Sequence, residues 1–230
     1  VLSNVSFTVA RGETLVILGG SGSGKSTILR LLMGFERADR GSIRFEGKDV
    51  MAQRGAALVD LRRRMGMVFQ EGALFDSLTV GENVGYYLLE HGMDNAHDLP
   101  EVERRVRDTL RLVGLEHCLD RMPAELSGGM RRRVSAARTL IYSPDLILYD
   151  EPTAGLDPAA CENFCAVMND IKREKDTAGI MVTHNLEDAW AVGDHFVLLR
   201  EGRCVWQGTS QSLRERPQDT LIKFFRGEDL

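Results

Sequence analysis

No apolar run in this sequence approaches the roughly 20 residues that a membrane-crossing helix requires. The longest candidates, 15–18 and 146–149, are the size of buried strands. No leader-like stretch opens the chain, which begins directly on strand-like residues. A role at a membrane therefore calls for a partner that supplies the spans. Cysteine is sparse, four in 230 residues, and lacks framework spacing, which excludes a disulfide-stapled scaffold. Cys161 and Cys165 stand four apart on an expected helix, as two zinc ligands would, but no second pair follows. They read as reduced, packed thiols. An excess of basic charge is also missing. The net charge of −5 argues against a general nucleic-acid binder, despite short basic runs at 62–64 and 131–133. Internal repeats and low-complexity segments are absent. What remains is a composition, 43% hydrophobic and 27% charged, suited to a globular chain large enough to bury a substantial core.

Along the chain, 3–9 and 13–18 read as short strands, the second stopping at glycine. A helix is predicted from Gly24 through Leu32, with Ile28, Leu29, Leu31 and Leu32 forming a wide apolar face. Further strands are expected at 42–45 and 65–69, separated by a helix around 57–63. Residues 79–142 change character: Val80, Val84 and Leu88, then Val102, Val106, Leu110 and Val113, repeat at helical spacing with no convincing strand. The polar stretch 94–100 reads as a loop. From Asp145 the alternation returns, with strands at 146–149 and 180–183 around a helix at 158–174. Strands at 196–199 and 204–207 flank Glu201-Gly202, a hairpin signal. The tail after Gly208 reads as helical. The expected architecture is one α/β domain over 1–230: a core from 1–78 and 143–230, interrupted by an all-helical lobe at 79–142.

Gly19, Gly20, Ser21, Gly22, Ser23, Gly24, Lys25 and Ser26 fit the pattern Gly-x4-Gly-Lys-Ser between an apolar strand and a helix. Glycines let the backbone curl so that successive N–H groups hold phosphate oxygens, and the helix start adds partial positive charge. Lys25 is expected to reach the β- and γ-phosphates and the Ser26 hydroxyl to ligate Mg²⁺, with Thr27 completing the nucleotide-binding set. Asp150 follows four apolar residues, so a buried strand delivers it to the end of a sheet where ligands collect. Its expected role is to hold Mg²⁺ through water. Glu151 is the candidate general base for an attacking water, a role that typically contributes about 10²–10⁴-fold in rate. These two motifs define a P-loop NTPase; a GTPase, helicase or kinase would fit them equally well.

Between them stands Leu126-Ser127-Gly128-Gly129-Met130. Ser127 is a good helix N-cap, and the glycines leave the amides open to close approach by an anion. The order of phosphate loop, Gln70, this element, Asp150-Glu151, Asp157 and His184 resembles the ATP-binding cassette (ABC) ATPases over nearly the whole chain. The resemblance implies a RecA-like mixed sheet with an inserted helical signature subdomain, and ATP and Mg²⁺ as ligands. It also implies a head-to-tail dimer with a second copy, in which each ATP is sandwiched between one phosphate loop and the partner's Ser127, Gly128 and Gly129. Gln70 matches the family's Q-loop, which contacts Mg²⁺ and water. Asp157, in Ala154-Gly155-Leu156-Asp157, matches the D-loop at the dimer interface. His184 matches the switch histidine at the γ-phosphate. The chain departs from the family in two places. Met130 stands where glutamine is usual, away from the phosphate. The family's adenine-stacking aromatic would lie ahead of Val1, and Phe7 does not replace it.

The segment 71–80 with Glu82-Asn83-Val84, the Ser-Gly-Gly-Met ending and 150–157 resemble the cassettes of MCE-type lipid-trafficking systems, which include the Mla phospholipid and toluene-tolerance systems. This implies integral membrane permease subunits and MCE-domain or other lipid-binding accessory proteins as partners, no nucleic acid, and a peripheral position on the cytoplasmic face of the inner membrane. Ala73, Leu74 and Phe75 would then border a groove for a permease helix. Importers of amino acids or other small solutes are the rival transporters. A non-transport ABC protein typically carries two cassettes or a long coiled coil, absent here. A non-hydrolysing adaptor is disfavoured by Glu151 and His184.

Overall fold

The computed structural model describes residues 1–70, 72–91, 99–216 and 220–226. Six strands form one sheet: β1 (Thr14–Leu18), β4 (Met65–Val68), β5 (Leu146–Asp150), β6 (Ala178–Thr183), β7 (His195–Arg200) and β8 (Arg203–Thr209). Their spatial order is β4-β5-β6-β1-β7-β8, parallel throughout except for the antiparallel β7–β8 hairpin. The apolar runs read in the sequence are continuous because both faces of this sheet are covered. Alternate residues enter two separate cores. Val16, Leu18, Ile147, Tyr149, Met181, Phe196 and Leu198 face one, while Leu15, Ile17, Leu146, Leu148, Ile180, Val182 and Val197 face the other.

Helices α1 (Lys25–Leu32) and α2 (Gly55–Arg63) contribute Ile28, Leu29, Leu32 and Leu61 to the second core. The first core is covered by α5 (Gly128–Leu140), α6 (Pro158–Lys175) and α7 (Leu186–Val192), and extends into α3 (Val80–His91) and α4 (Leu99–Leu112). Thr79 and Glu82 close a reciprocal capping box at the start of α3, with bonds of 2.7 and 3.2 Å. Two short helices, α8 (Ser210–Arg214) and α9 (Thr220–Arg226), follow β8.

Three expectations change. Residues 3–9 alternate in burial, with Val5, Phe7 and Val9 against the second core, yet join no strand ladder among the described residues. A two-residue apolar period reports one packed face; a ladder also needs a partner backbone, and among the described residues the backbone bond this segment makes is Ser3 N–H to Gly202 O at 2.8 Å. The expected strand at 42–45 shortens to β2 (Arg44–Phe45), which turns through Glu46-Gly47 (φ 45° and 77°) into an unforeseen β3 (Lys48–Asp49). In the stretch 94–100 read as a loop, 94–98 lie outside the described residues, and Leu99 and Pro100 form the first turn of α4. Proline is tolerated there because a first-turn N–H has no helical partner to lose.

Strand β4 is seated directly on α5. A Cβ at Gly66 would lie 2.1 Å from Thr139 Cγ2, and Thr139 is held by bonds to Met67 O (3.2 Å) and Ser135 O (3.0 Å). Gly66→Ala is therefore expected to destabilise the fold by about 1–3 kcal/mol through overpacking, lowering the thermal midpoint by several degrees. An unchanged midpoint would mean that α5 can move away from the sheet without loss.

Candidate functional site

Parallel strands end together, and the register sets which ends meet. Leu18 pairs with Thr183, and Asp150 with Val182. The chain segments leaving β4, β5, β6 and β1, four adjacent strands, therefore emerge at one edge, carrying Gln70, Asp150-Glu151, His184 and the phosphate loop.

The loop is shaped by what surrounds it. Gly19 is buried at the end of β1, and a Cβ there would lie 2.6 Å from Leu199 O and 2.5 Å from Ser23 Oγ, so only glycine fits. Gly24 takes φ +103° immediately before α1, a left-handed conformation that glycine adopts without strain. Gly20, Ser21 and Gly22 are exposed, Ser26 is exposed and Thr27 half-buried in the first turn of α1. The Lys25 side chain is 8% exposed and curls back over the loop, its Nζ bonding Gly19 O at 2.8 Å and Gly20 O at 3.1 Å. The buried Ser23 hydroxyl has no hydrogen-bond partner, an orphaned donor inside a loop lined by backbone amides.

Three contacts bring the loop and the strand ends together. Lys25 Nζ lies 3.3 Å from Glu151 Oε1. The Ser26 hydroxyl donates to Asp150 Oδ1 at 3.4 Å. His184 Nδ1 stands 2.9 Å from Glu151 Oε2, whose carboxylate also accepts from the His184 backbone N–H at 3.4 Å. Burial, and then the neighbouring Glu151 charge, push the Asp150 carboxyl above its ordinary value, against the opposing pull of Ser26, Lys25 and Arg30. Paired carboxylates beside a hydroxyl form a hard oxygen set, of the kind that suits a small divalent cation.

Not every predicted site residue joins this cluster. Gln70 is exposed beyond the end of β4, and no hydrogen bond among the described residues links it to Glu151 or Lys25. Ser127 caps α5 by accepting from Met130 N–H at 3.3 Å. Gly128 and Gly129 pack against Leu156 and Ala160 instead of against the phosphate loop of their own chain. Asp157 caps α6, accepting from Ala160 N–H at 3.0 Å.

Residues passed over in the sequence complete the surroundings. Arg132, 8% exposed, donates to the carbonyls of Glu151, Pro152 and Ala154. Asp188, buried at the start of α7, accepts from the Thr153 hydroxyl and from the Cys165 thiol at 3.8 Å. All four cysteines are free, and burial beside Asp188 pushes the Cys165 thiol up to about 12. Asn83 is fully buried and braces the loop after Gln70 through bonds to Phe75 N–H and O and to the Leu78 and Thr79 carbonyls. The arginine run at 131–133 stood out in the sequence only as a short basic run; its position one turn inside a capped helix was the available signal that part of it is buried.

Residues 2–154 match the ABC transporter family. The chain is 36% identical over 227 residues to the intermembrane phospholipid transport system ATP-binding protein MlaF of Escherichia coli K12, a match covering 99% of this chain and 83% of that protein. It is 40% identical over 217 residues to the methionine import ATP-binding protein MetN of Rhizobium johnstonii, covering 94% of this chain and 59% of that one. Among solved structures, a dimeric ATP-binding cassette in a post-hydrolysis state bound to ADP and Pi superposes with a TM-score of 0.81 at 30% identity, covering 90% of each chain.

The raised Asp150 value gives a test with a definite sign. The charged form is the one that burial disfavours, so its cost is present at about pH 7 and fades as pH falls through the folded value towards the ordinary carboxylate value of about 4. Asp150→Asn should raise the thermal midpoint of the nucleotide-free chain near neutrality, and the gain should shrink in melts run at progressively lower pH. A variant less stable than the parent at neutrality would show that Ser26 and Lys25 outweigh burial.

Proposed function

Because this chain belongs to the ABC transporter family, we propose that it is the ATPase motor of a lipid-trafficking transporter, moving phospholipid between membranes of the bacterial envelope. The observation that carries the catalytic part is the convergence at one sheet edge of two contact sets, Glu151 with Lys25 and His184, and Asp150 with Ser26. The lipid assignment is supported by the similarity to MlaF across 99% of this chain.

In this reading the loop amides and Lys25 receive the β- and γ-phosphates of ATP, and Lys25 exchanges its contact with Glu151 for one with phosphate. Ser26, Asp150 and Gln70 would hold Mg²⁺, and the ion would supply neutralisation of developing phosphate charge. Glu151 takes a proton from water as its oxygen attacks the γ-phosphorus and the bond to the ADP oxygen breaks. His184, already beside the Glu151 carboxylate, orients that base and meets the γ-phosphate.

A second copy completes each site. Ser127, Gly128 and Gly129, turned away from the phosphate loop of their own chain, face the ATP of the partner, and Asp157 lies at the seam. The stretch 79–142 serves as a signature lobe carried by the nucleotide-binding core of 1–78 and 143–230. No helix among the described residues is long and apolar enough to cross a membrane. In the proposed assembly the chain sits peripherally on the cytoplasmic face of the inner membrane, bound to integral permease subunits with MCE-domain accessory proteins. The docking point is the surface around Phe75. That ring is 43% exposed, packs against Tyr86 at a tilt of 46° with ring centroids 4.7 Å apart, and sits on backbone that the buried Asn83 fixes.

Glu151→Gln is expected to bind ATP and hold a closed dimer, with turnover reduced about 10²–10⁴-fold; hydrolysis at the parental rate would remove Glu151 from the base role. Affinity purification of the full chain from its own membranes in mild detergent tests the transport assignment. A multi-span permease arriving with an MCE-domain protein and phospholipid is expected, and Phe75→Ala should reduce that recovery while sparing ATP binding. A permease arriving with a solute-binding protein would instead favour import of a small solute, as the similarity to MetN allows.

A further inference from the structure

Glu151 sits in a backbone conformation that glutamate rarely adopts. Its φ is +45°, in the left-handed region, which strains a non-glycine residue and persists only when the surroundings over-determine it. Two backbone bonds contribute: Glu151 N–H to Val182 O at 3.0 Å, and Ala154 N–H to Glu151 O at 3.1 Å. The remaining restraint comes from a distant part of the sequence. Arg132 Nη1 donates to Glu151 O at 3.2 Å and to Pro152 O at 2.6 Å, and Nη2 donates to Ala154 O at 2.9 Å.

One guanidinium therefore holds the outer side of the turn whose inner side presents the Glu151 carboxylate to Lys25 and His184. The geometry suits arginine specifically. A planar fork of donors spans the carbonyls of residues 151, 152 and 154 in one tight turn, whereas a lysine ammonium is a point charge on a shorter reach. Arg132 also sits on α5 one turn beyond Gly128, on the helix whose cap is Ser127. The same rigid element thus carries the Ser-Gly-Gly cap at one end and the clamp on the Glu151 turn a few ångströms inside.

We infer that Arg132 is a positioning residue for Glu151, linking the state of the Ser127–Gly129 cap to the placement of the base in the same chain; the inference rests on the reading of Glu151 as general base. In a head-to-tail dimer the cap of one chain meets the nucleotide of the other. A displacement of α5 when that nucleotide binds or leaves is then passed through Arg132 to the opposite reaction centre. The two sites communicate through this strut without any direct contact between them.

The test uses the complete transporter with its membrane subunits, comparing the parent with Arg132→Lys, Arg132→Gln and each change combined with Glu151→Gln. Arg132→Lys should lower kcat by about 10-fold or more, since a misplacement of about 1 Å can cost about 10²-fold, with KM for ATP changed less than about twofold. The Hill coefficient for ATP should fall towards one. In the Glu151→Gln background neither Arg132 change should lower the residual rate further, because a residue acting only through the base has nothing left to position. Unchanged kcat in both Arg132 variants, or losses that multiply with that of Glu151→Gln, would overturn the inference while leaving the base assignment standing. Parental turnover in Glu151→Gln alone would remove the base assignment itself. Should Arg132→Lys fail to accumulate as folded protein, Arg132→Gln, which retains one donor group of the fork, carries the same readouts.

Discussion

An ammonium group buried to 8% exposure has to be surrounded by oxygen, and much of this site follows from how the chain meets that demand at Lys25. Two loop carbonyls and the Glu151 carboxylate supply it. The loop must curl for its carbonyls to reach inward, which leaves its amides pointing the other way, towards an incoming anion. Glu151 must lie close enough to neutralise the charge, which places it beside the phosphates once they arrive. The acidic pair then crowds itself, and Asp150 is left poorly compensated, with Ser26 the one hydrogen-bond donor to its carboxylate among the described residues. A site with a buried cation, an over-supplied pair of carboxylates and an orphaned Ser23 hydroxyl has interactions in reserve for a phosphate–cation ligand.

Around that site, α5 acts through its arginines. Arg131 donates to Leu126 O, Arg132 to the turn after Glu151, Arg133 to Val113 O and Arg138 to Ala73 O. Each bond joins a guanidinium to a backbone carbonyl in a different segment, so α5 registers the loop after β4, the end of α4 and the catalytic turn against one another. Charge-assisted bonds to carbonyls are stronger than neutral ones and fix direction as well as distance. This explains how a helix with a strongly basic sequence can lie against the sheet, with Val134, Ala136, Ala137 and Leu140 buried between the arginines.

The legible parts of the sequence were those in which a local pattern determines a local outcome. The apolar runs that became β1, β5, β6 and β7 could be read because strands covered on both faces need no alternation. The phosphate loop and the Asp150-Glu151 strand end could be read because their neighbours in sequence dictate their geometry, whereas His184 stood out only through the family resemblance. Glu201-Gly202 was visible as a turn between two apolar runs, whereas Glu46-Gly47, with the same positive φ values, was not, because Arg44 and Lys48 beside it give no apolar signal. Long-range partnership left no local trace. The Arg132 clamp spans about twenty residues of sequence and the Arg138–Ala73 bond spans more, and both arginines look in isolation like solvated charge. The Asn83 brace is illegible for the same reason: an amide facing four backbone groups has the same one-letter code as an amide facing water.

The strand order also determines when this molecule can come into being. β1 is the first strand of the sheet in sequence, yet its two neighbours are β6 and β7, with Leu18 set against Thr183 and Leu198. Pairings this distant are slow to form, because a long loop must close before any contact rewards it. On a ribosome, the phosphate loop emerges well before β6 and β7, and it waits without a scaffold until they have followed. A growing chain with an apolar β1 and no neighbours is at its most vulnerable to wrong association through that interval. ATP cannot stabilise the nascent chain during it, since the strands that flank β1 and shape the nucleotide loop have yet to emerge.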